Sequence, residues 1–447
     1  VIDLRNKRVV VVGLGTSGLA AARLCLARGA NVVLNDSKLE VPATAELVAE
    51  GAVAKLGSHA GVGIETADLV VVSPGVPSFP ELEVAIAAGV AVIGEVELAT
   101  SALRHAAPLV AVGGTNGKST VTSLLGELLA TSNRHVFTGG NLGEPLADHV
   151  DERFDFVVLE VSSFQMERVS TFAPRASILL NVTPDHLDRY DGMESYANAK
   201  GNAFVAQAPA DLAVVPYGDE VCLAQAKRGK ARIVTFGTDP RSDVYVTDAQ
   251  VLHRGLGKSL SREHWKLSGG HNALNVAASL AVAFDLGIDA SQAEGVLARF
   301  EGLAHRMAFV AEKKGVRFYD DSKGTNVGAS VTALRGLSEA KAVMILGGKD
   351  KGGSYGPLVD ALREKARAAV LIGEATPIIA DAIGDAVPVT RATDMADAVA
   401  KAAALASAGD AVLLSPACSS FDMFRDYKER GDVFVAAVNA LEGGSAR

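Results

Sequence analysis

The chain has 447 residues, 49% of them hydrophobic, and a formal net charge of −9. That length exceeds one compact core, so about two to four domains are expected, and the apolar fraction excludes a disordered chain. Acidic and basic residues are interspersed, which argues against general affinity for nucleic acid or anionic lipid; any polyanion must be gripped by local structure.

Cys25, Cys222 and Cys418 are scattered, forming neither a disulfide framework nor a CxxC metal pattern, and suit a reducing compartment. The opening Val-Ile-Asp-Leu-Arg has no basic-then-apolar leader pattern, and a start at Val1 fits trimming. No apolar run approaches the roughly 20 residues that span a bilayer. A cytoplasmic location is expected, with no membrane and no nucleic-acid partner.

Three blocks follow one another, each opening on an apolar strand. The first begins at Arg8-Val9-Val10-Val11-Val12-Gly13, with further strands predicted at 31–35, 69–73 and 90–93 between alanine-rich helical stretches. This is the alternation of a parallel sheet. Gly13-x-Gly15-x-x-Gly18 follows the first strand, and Asp36 lies 21 residues after Gly15. By itself the pattern reads as a dinucleotide site, or as a turn that serves only strand–helix packing.

The second block begins at Leu109-Val110-Ala111-Val112-Gly113, continues through predicted strands at 156–160 and 176–181, and closes near Phe300 after a predicted helix at 272–286. The third starts near Met307, with strands predicted at 316–320, 342–346, 368–372 and 411–414 and a helix at 396–407. Boundaries are placed to give domains 1–94, 95–303 and 304–447.

The strongest chemical signal is Gly113-Gly114-Thr115-Asn116-Gly117-Lys118-Ser119, between a buried strand and a helix predicted from Thr120 to Ala130. Glycines there let backbone N–H groups close around phosphates at a helix N-terminus. Lys118 would reach the terminal phosphates and Ser119 would ligate Mg²⁺. The longer phosphate-loop pattern needs glycine at 112, where this chain has Val112, so the motif is the shorter G-x-x-G-K-S.

Glu160 ends one predicted strand and Asp185-His186 follows another. Ligands in open α/β sheets bind beyond the carboxyl ends of strands, so both positions suit an Mg²⁺–triphosphate site, although His is an uncommon ligand for so hard an ion. Equally, Glu160 could start a turn and His186 cap a helix.

Taken together, these motifs resemble the Mur ligase family. The match runs through Gly114–Ser119, Glu160-Val161-Ser162-Ser163-Phe164-Gln165, Asn181-Val182-Thr183-Pro184-Asp185-His186-Leu187-Asp188, His271-Asn272-Ala273-Leu274-Asn275 and His305-Arg306. Asp321-Ser322-Lys323-Gly324-Thr325-Asn326 and Leu414-Ser415-Pro416-Ala417-Cys418-Ser419-Ser420-Phe421-Asp422 resemble the branch that joins D-glutamate to UDP-N-acetylmuramoyl-L-alanine. The resemblance covers the whole chain to Arg430-Gly431. It implies an α/β chain of three domains: an N-terminal Rossmann-like domain for the UDP substrate, a central P-loop ATPase domain with a parallel or mixed sheet, and a C-terminal Rossmann-like domain for the amino acid. It further implies activation of the substrate carboxylate as an acyl phosphate; a monomer is expected.

The resemblance also assigns roles. Leu14, Thr16, Asp36, Ser37, Ser73 and Gly75 fall to the UDP part, with Asn141, Ser162 and Gln165 on the substrate side of the central domain. Gly114, Thr115, Asn116, Gly117, Lys118, Ser119 and Thr120 hold ATP phosphates, and Asn272 and Asn275 lie near adenine. Arg306 and Asp321 contact the nucleotide from the third domain. Ser119 and Glu160 hold one Mg²⁺. His186 and Lys200, the latter as a carbamate, hold a second. Lys118, Glu160, His186 and Lys200 are thus the catalytic set.

Lys323, Thr325, Ser420 and Phe421 match the D-glutamate pocket, Asp350 and Lys351 a loop ordered on closure, and Tyr427 an aromatic over the substrate. Without the family, Lys200 reads as a solvated helix lysine, Asn272 as a helix cap, the Gly139–Gly143 stretch as a β-turn and Ser419-Ser420 as a small-residue turn. Three other readings remain open: a related ligase such as a folylpolyglutamate synthase, an NAD-dependent oxidoreductase resting on the first glycine loop alone, and a non-catalytic nucleotide switch.

Overall fold

The computed structural model describes residues 2–187, 189–267 and 269–441. It contains three sheets, and the chain divides into two compact units. The first unit comprises Val1–Val182, Glu194–His264 and Leu274–Ala298; the second comprises Thr183–Met193, Trp265–Ala273 and Arg299–Arg447. Asp188, quoted above as part of a motif, lies outside the described residues.

In the first unit a five-stranded sheet is wholly parallel, in the order Val53–Leu56, Asn31–Asp36, Arg8–Val12, Leu69–Val72, Ala91–Ile93. The unbroken valine run at 9–12 is explained by burial on both faces. Val9 and Val11 enter one core and Val10 and Val12 the other, as alternating side chains must in a strand covered on both sides.

The second sheet has nine strands, in the order Lys258–Ser261, Gln250–His253, Val244–Val246, Arg232–Gly237, Leu212–Pro216, Ala176–Leu179, Leu109–Gly113, Phe156–Glu160, Val136–Gly140. It is parallel except at one edge, where Gln250–His253 runs antiparallel to both neighbours. The sheet is therefore mixed, as expected.

One core joins the first two sheets, running from Val9 and Val11 through Leu98 to Val157 and Leu159. Ion pairs Arg23–Asp148 (2.7 Å) and Arg28–Asp151 (2.8 Å) rim it. Such exposed pairs contribute little each, so the shared apolar core is what fixes the two sheets together.

Glu95, buried at the start of helix Glu95–Ala102, accepts the Ala147 N–H at 2.9 Å, and its other oxygen has no hydrogen-bond partner among the described residues. Burial pushes its carboxyl up to about 7; the Ala147 N–H opposes this and the Asp148 charge adds to it. The unfolded chain releases this proton near the ordinary 4.5. Stability is thus fully present below that value, is lost as pH rises to about 7, and is flat above. Glu95→Gln should remove the loss: relative to wild type it should gain up to about 3 kcal/mol between about pH 5 and pH 8. Melting midpoints at both pH values measure this, and an equal shift at both would contradict it.

The second unit holds a six-stranded sheet, in the order Ala308–Lys313, Val316–Asp320, Ala411–Leu414, Ala342–Gly347, Ala366–Ile372, Val389–Arg391. Only Ala308–Lys313 is antiparallel to its neighbour. Met344 and Leu346 face one core and Val343 and Ile345 the other, so this sheet too is covered on both faces. No helix among the described residues is long and apolar enough to cross a membrane.

Candidate active site

In the first unit the predicted phosphate loop joins strand Leu109–Gly113 to helix Lys118–Leu129, which starts two residues earlier than predicted. Gly117 caps this helix with φ +87°, and a Cβ there would lie 2.6 Å from Asn275 Oδ1. Only glycine satisfies both constraints. Asn181 shapes the loop from the neighbouring strand end: its Oδ1 accepts the N–H groups of Thr115 (3.2 Å) and Asn116 (2.9 Å), and its Nδ2 donates to the Asn116 carbonyl. Lys118 Nζ donates to the Thr115 carbonyl at 2.7 Å. Ser119 and Thr120 are buried at the helix start.

Parallel registry sets Glu160 beside Val112, so its side chain emerges next to the loop. It is buried, and Oε1 accepts from Asn141 Nδ2 at 2.6 Å. The Gly139–Gly140 stretch is the end of strand Val136–Gly140 rather than a free-standing turn; Gly140 (φ +94°) lies against the Glu160 carbonyl.

Lys200 is not a solvated lysine. It is buried in helix Met193–Val205, its Nζ donates to the Gly114 carbonyl at 2.8 Å, and it lies 4.4 Å from the Tyr196 ring centre. Tyr196 Oη in turn is 3.2 Å from Thr115 Oγ1. The structure thus gathers the loop, Glu160, Asn141, Lys200 and Asn275 at the ends of strands Leu109–Gly113 and Phe156–Glu160. Asn181 and Tyr196 are additional members that had no assigned role.

Ser162 and Gln165 serve each other: the Ser162 hydroxyl accepts the Gln165 N–H and Gln165 Oε1 accepts the Ser162 N–H, a capping box on helix Ser163–Met166.

At the carboxyl ends of the first sheet, both Asp36 oxygens accept backbone N–H groups, from Leu14 (2.8 Å) and Lys38 (2.9 Å), and Ser73 Oγ donates to the Gly13 carbonyl. Leu14 and Ser73 are buried, while Thr16, Ser37 and Gly75 are exposed around them.

In the second unit Asp321 is buried. It accepts from Ser415 Oγ at 2.7 Å, and burial pushes its carboxyl up to about 7 against the pull of that bond and of the Arg306 charge. The two segments expected to hold D-glutamate lie against each other: the Ala417 N–H donates to the Gly324 carbonyl (2.9 Å), and the buried Arg430 donates to Ser322 and to the Cys418 carbonyl. Lys323 Nζ stands 3.9 Å from the Tyr427 ring centre, and the Thr325 N–H closes a turn on the Lys323 carbonyl. Ser420 is buried, whereas Phe421 is 71% exposed, an orientation that leaves its ring to a ligand or solvent.

His186 has φ +56°, and its N–H donates to Asp185 Oδ1. Asn272, in the first turn of helix Gly270–Asp285, and Arg306 also fall in the second unit. Among the described residues no group of three or more His, Cys, Asp or Glu side chains is arranged to hold a metal ion.

A central parallel strand running into a glycine loop and helix, with a buried carboxylate on the adjacent strand end, defines a P-loop nucleotide-binding α/β protein. Three family models match in sequence: a Mur ligase MurD-like N-terminal domain over residues 7–94, a Mur ligase middle domain over 112–283, and a Mur ligase glutamate ligase domain over 305–418. The UDP-N-acetylmuramoylalanine–D-glutamate ligase of Geotalea uraniireducens (strain Rf4) is 43% identical over all of both chains. The MurF ligase of Thermotoga maritima in complex with ADP shares the fold at a TM-score of 0.61 and 18% identity, covering 98% of this chain and 99% of that one. The UDP-N-acetylmuramate–alanine ligase MurC of the same organism shares it at 0.60 and 20%, covering 97% and 99%. The chain belongs to the Mur ligase family.

Proposed function

We propose that this chain is an ATP-dependent ligase that adds D-glutamate to UDP-N-acetylmuramoyl-L-alanine, a cytoplasmic step of peptidoglycan synthesis. The observation that carries the chemistry is the convergence of the phosphate loop, Glu160 and Lys200 at adjacent strand ends. The choice of substrate rests on the full-length likeness to D-glutamate ligases. Domains 1–94, 95–303 and 304–447 are supported by the limits of the matched regions, and the enzyme acts as a monomer.

The substrate carboxylate oxygen attacks the γ-phosphorus in line and ADP leaves. The loop N–H groups and Lys118 bind and orient the phosphates and offset the charge that develops on them. The D-glutamate amine then attacks the acyl carbon, phosphate leaves, and the amine gives up a proton. His186 is a candidate acceptor. Exclusion of water keeps the acyl phosphate from hydrolysis.

The donor set fits Mg²⁺: Ser119 and Glu160 offer a hydroxyl and a carboxylate, both buried beside the loop, and Mg²⁺ favours one or two protein oxygens plus substrate phosphates. Ser119 and Glu160 would hold one ion, which would supply charge neutralisation. As a carbamate, Lys200 would present hard oxygens beside the loop in place of an ammonium, suiting a second ion. In the second unit, Arg306 and Asp321 are proposed for the nucleotide and Lys323, Thr325, Ser420 and Phe421 for D-glutamate, on the strength of the resemblance.

Amino-acid-dependent release of phosphate tests the proposal. Release should require UDP-N-acetylmuramoyl-L-alanine and be fastest with D-glutamate; equal rates with L-glutamate, or with a folate substrate, would sink it.

A further inference from the structure

Within the second unit, the turn that follows strand Ala342–Gly347 is tied to the Ser415–Phe421 segment by two devices. The first is pairing of Lys349 with Ser419: the Lys349 N–H donates to the Ser419 carbonyl (2.9 Å), and both the Ser419 N–H (3.1 Å) and the Ser419 hydroxyl (3.1 Å) donate to the Lys349 carbonyl. The second is a buried side-chain relay. Tyr355 Oη donates to Asp350 Oδ1 at 2.7 Å and lies 3.2 Å from Cys418 Sγ. Burial pushes the Cys418 thiol up to about 11, so it stays protonated near neutral pH and can donate to the phenol oxygen.

Asp350 spends its other oxygen on the Gly352 N–H at 3.0 Å, which closes the turn around Lys351. Lys351 Nζ in turn reaches Asp185 Oδ1 at 3.3 Å, and Asn326 Nδ2 donates to Asp185 Oδ2 at 3.1 Å. The phenol hydroxyl is thus a further link, beside the Lys349–Ser419 pairing, between the turn carrying Lys351 and the segment carrying Ser420 and Phe421.

We propose that Tyr355 is a positioning residue for the amino-acid substrate: through Asp350 and Cys418 its hydroxyl fixes the 349–352 turn against the Ser419–Phe421 segment and so sets the affinity for D-glutamate. This rests on the assignment of Ser420 and Phe421 to the D-glutamate pocket. The phenol ring itself packs in the core beneath the turn, so Tyr355→Phe removes the hydroxyl and leaves the packing.

The test is steady-state kinetics on the full-length enzyme with each substrate varied in turn. Tyr355→Phe should raise KM for D-glutamate about five- to tenfold, the size expected for one ordinary hydrogen bond. Its kcat and its KM values for ATP and the UDP substrate should stay within about twofold. Asp350→Ala, on the half-buried turn, should give the same pattern, and the double variant should be no worse than the poorer single one, because both break one relay. Should Tyr355→Phe fail to fold, Asp350→Ala alone decides.

A lower melting midpoint with unmoved KM values, or an equal rise in all three, would overturn the inference while D-glutamate turnover by the wild type stands. Absence of any D-glutamate turnover by the wild type would overturn the functional reading and this inference with it.

Discussion

Lys118→Ala is expected to lower kcat by about 100- to 1000-fold or more, the range seen when one preorganised charge-stabilising group is removed from a transition state. The lysine stands at the first position of helix Lys118–Leu129, with its ammonium on the Thr115 carbonyl of the same loop. Its side chain is half-buried and its ammonium bonds the loop itself, so the melting midpoint should change little. Single-turnover phosphate release on the folded variant measures the loss. A folded variant with near-wild-type kcat would reject the phosphate-loop reading.

Lys200→Ala carries the other large effect. The amine is buried against the Gly114 carbonyl and the Tyr196 ring. On the proposed reading the amine carries a carbamate, formed reversibly from CO₂ and the neutral amine, and the substitution would remove an anionic oxygen donor from beside the loop. The variant should be nearly inactive, and acetate or formate should restore part of the activity by entering the vacated space, with chloride ineffective. Restoration by short amines alone would instead mean that the native group is a cation contacting phosphate. Full activity with no additive would remove Lys200, and the second ion with it, from the mechanism.

What could be read from the sequence follows a physical rule. Strands buried on both faces, such as Arg8–Val12 and Ala342–Gly347, read as apolar runs because nothing polar can face water there. The strands at 244–246, 250–253 and 258–261 were not predicted. Each is short, and along them buried Val244, Val246, Val251 and Leu260 alternate with more exposed neighbours, a half-buried edge pattern too brief to stand out. Strand Val136–Gly140 was missed because its two glycines suggest a turn. They are glycines because the backbone comes close to that of Glu144 and Glu160.

The same distinction holds at the site. Glycines and a lysine before a helix announce a phosphate loop locally, and Glu160 is legible as a strand end. Asn181, Tyr196 and Tyr355 meet partners far along the chain, at Thr115 and Cys418; Asn181 stands in a matched motif but nothing local gives it a role, and no local spacing marks the two tyrosines. For Lys200 the residue pattern points the wrong way: a helix lysine is normally solvated, and only the family resemblance gave it a role, as a carbamate toward a second Mg²⁺; the structure shows the amine buried on the Gly114 carbonyl.

On this account the chain joins D-glutamate to a nucleotide-linked carboxylate at the expense of ATP. Mass analysis of the nucleotide product, from a reaction holding ATP, Mg²⁺, UDP-N-acetylmuramoyl-L-alanine and either glutamate enantiomer, tests it most directly. The predicted result is a nucleotide extended by one D-glutamate residue, with ADP and phosphate released in equal amounts and no extension by L-glutamate. An unextended nucleotide, equal extension by both enantiomers, or release of AMP and pyrophosphate would contradict it.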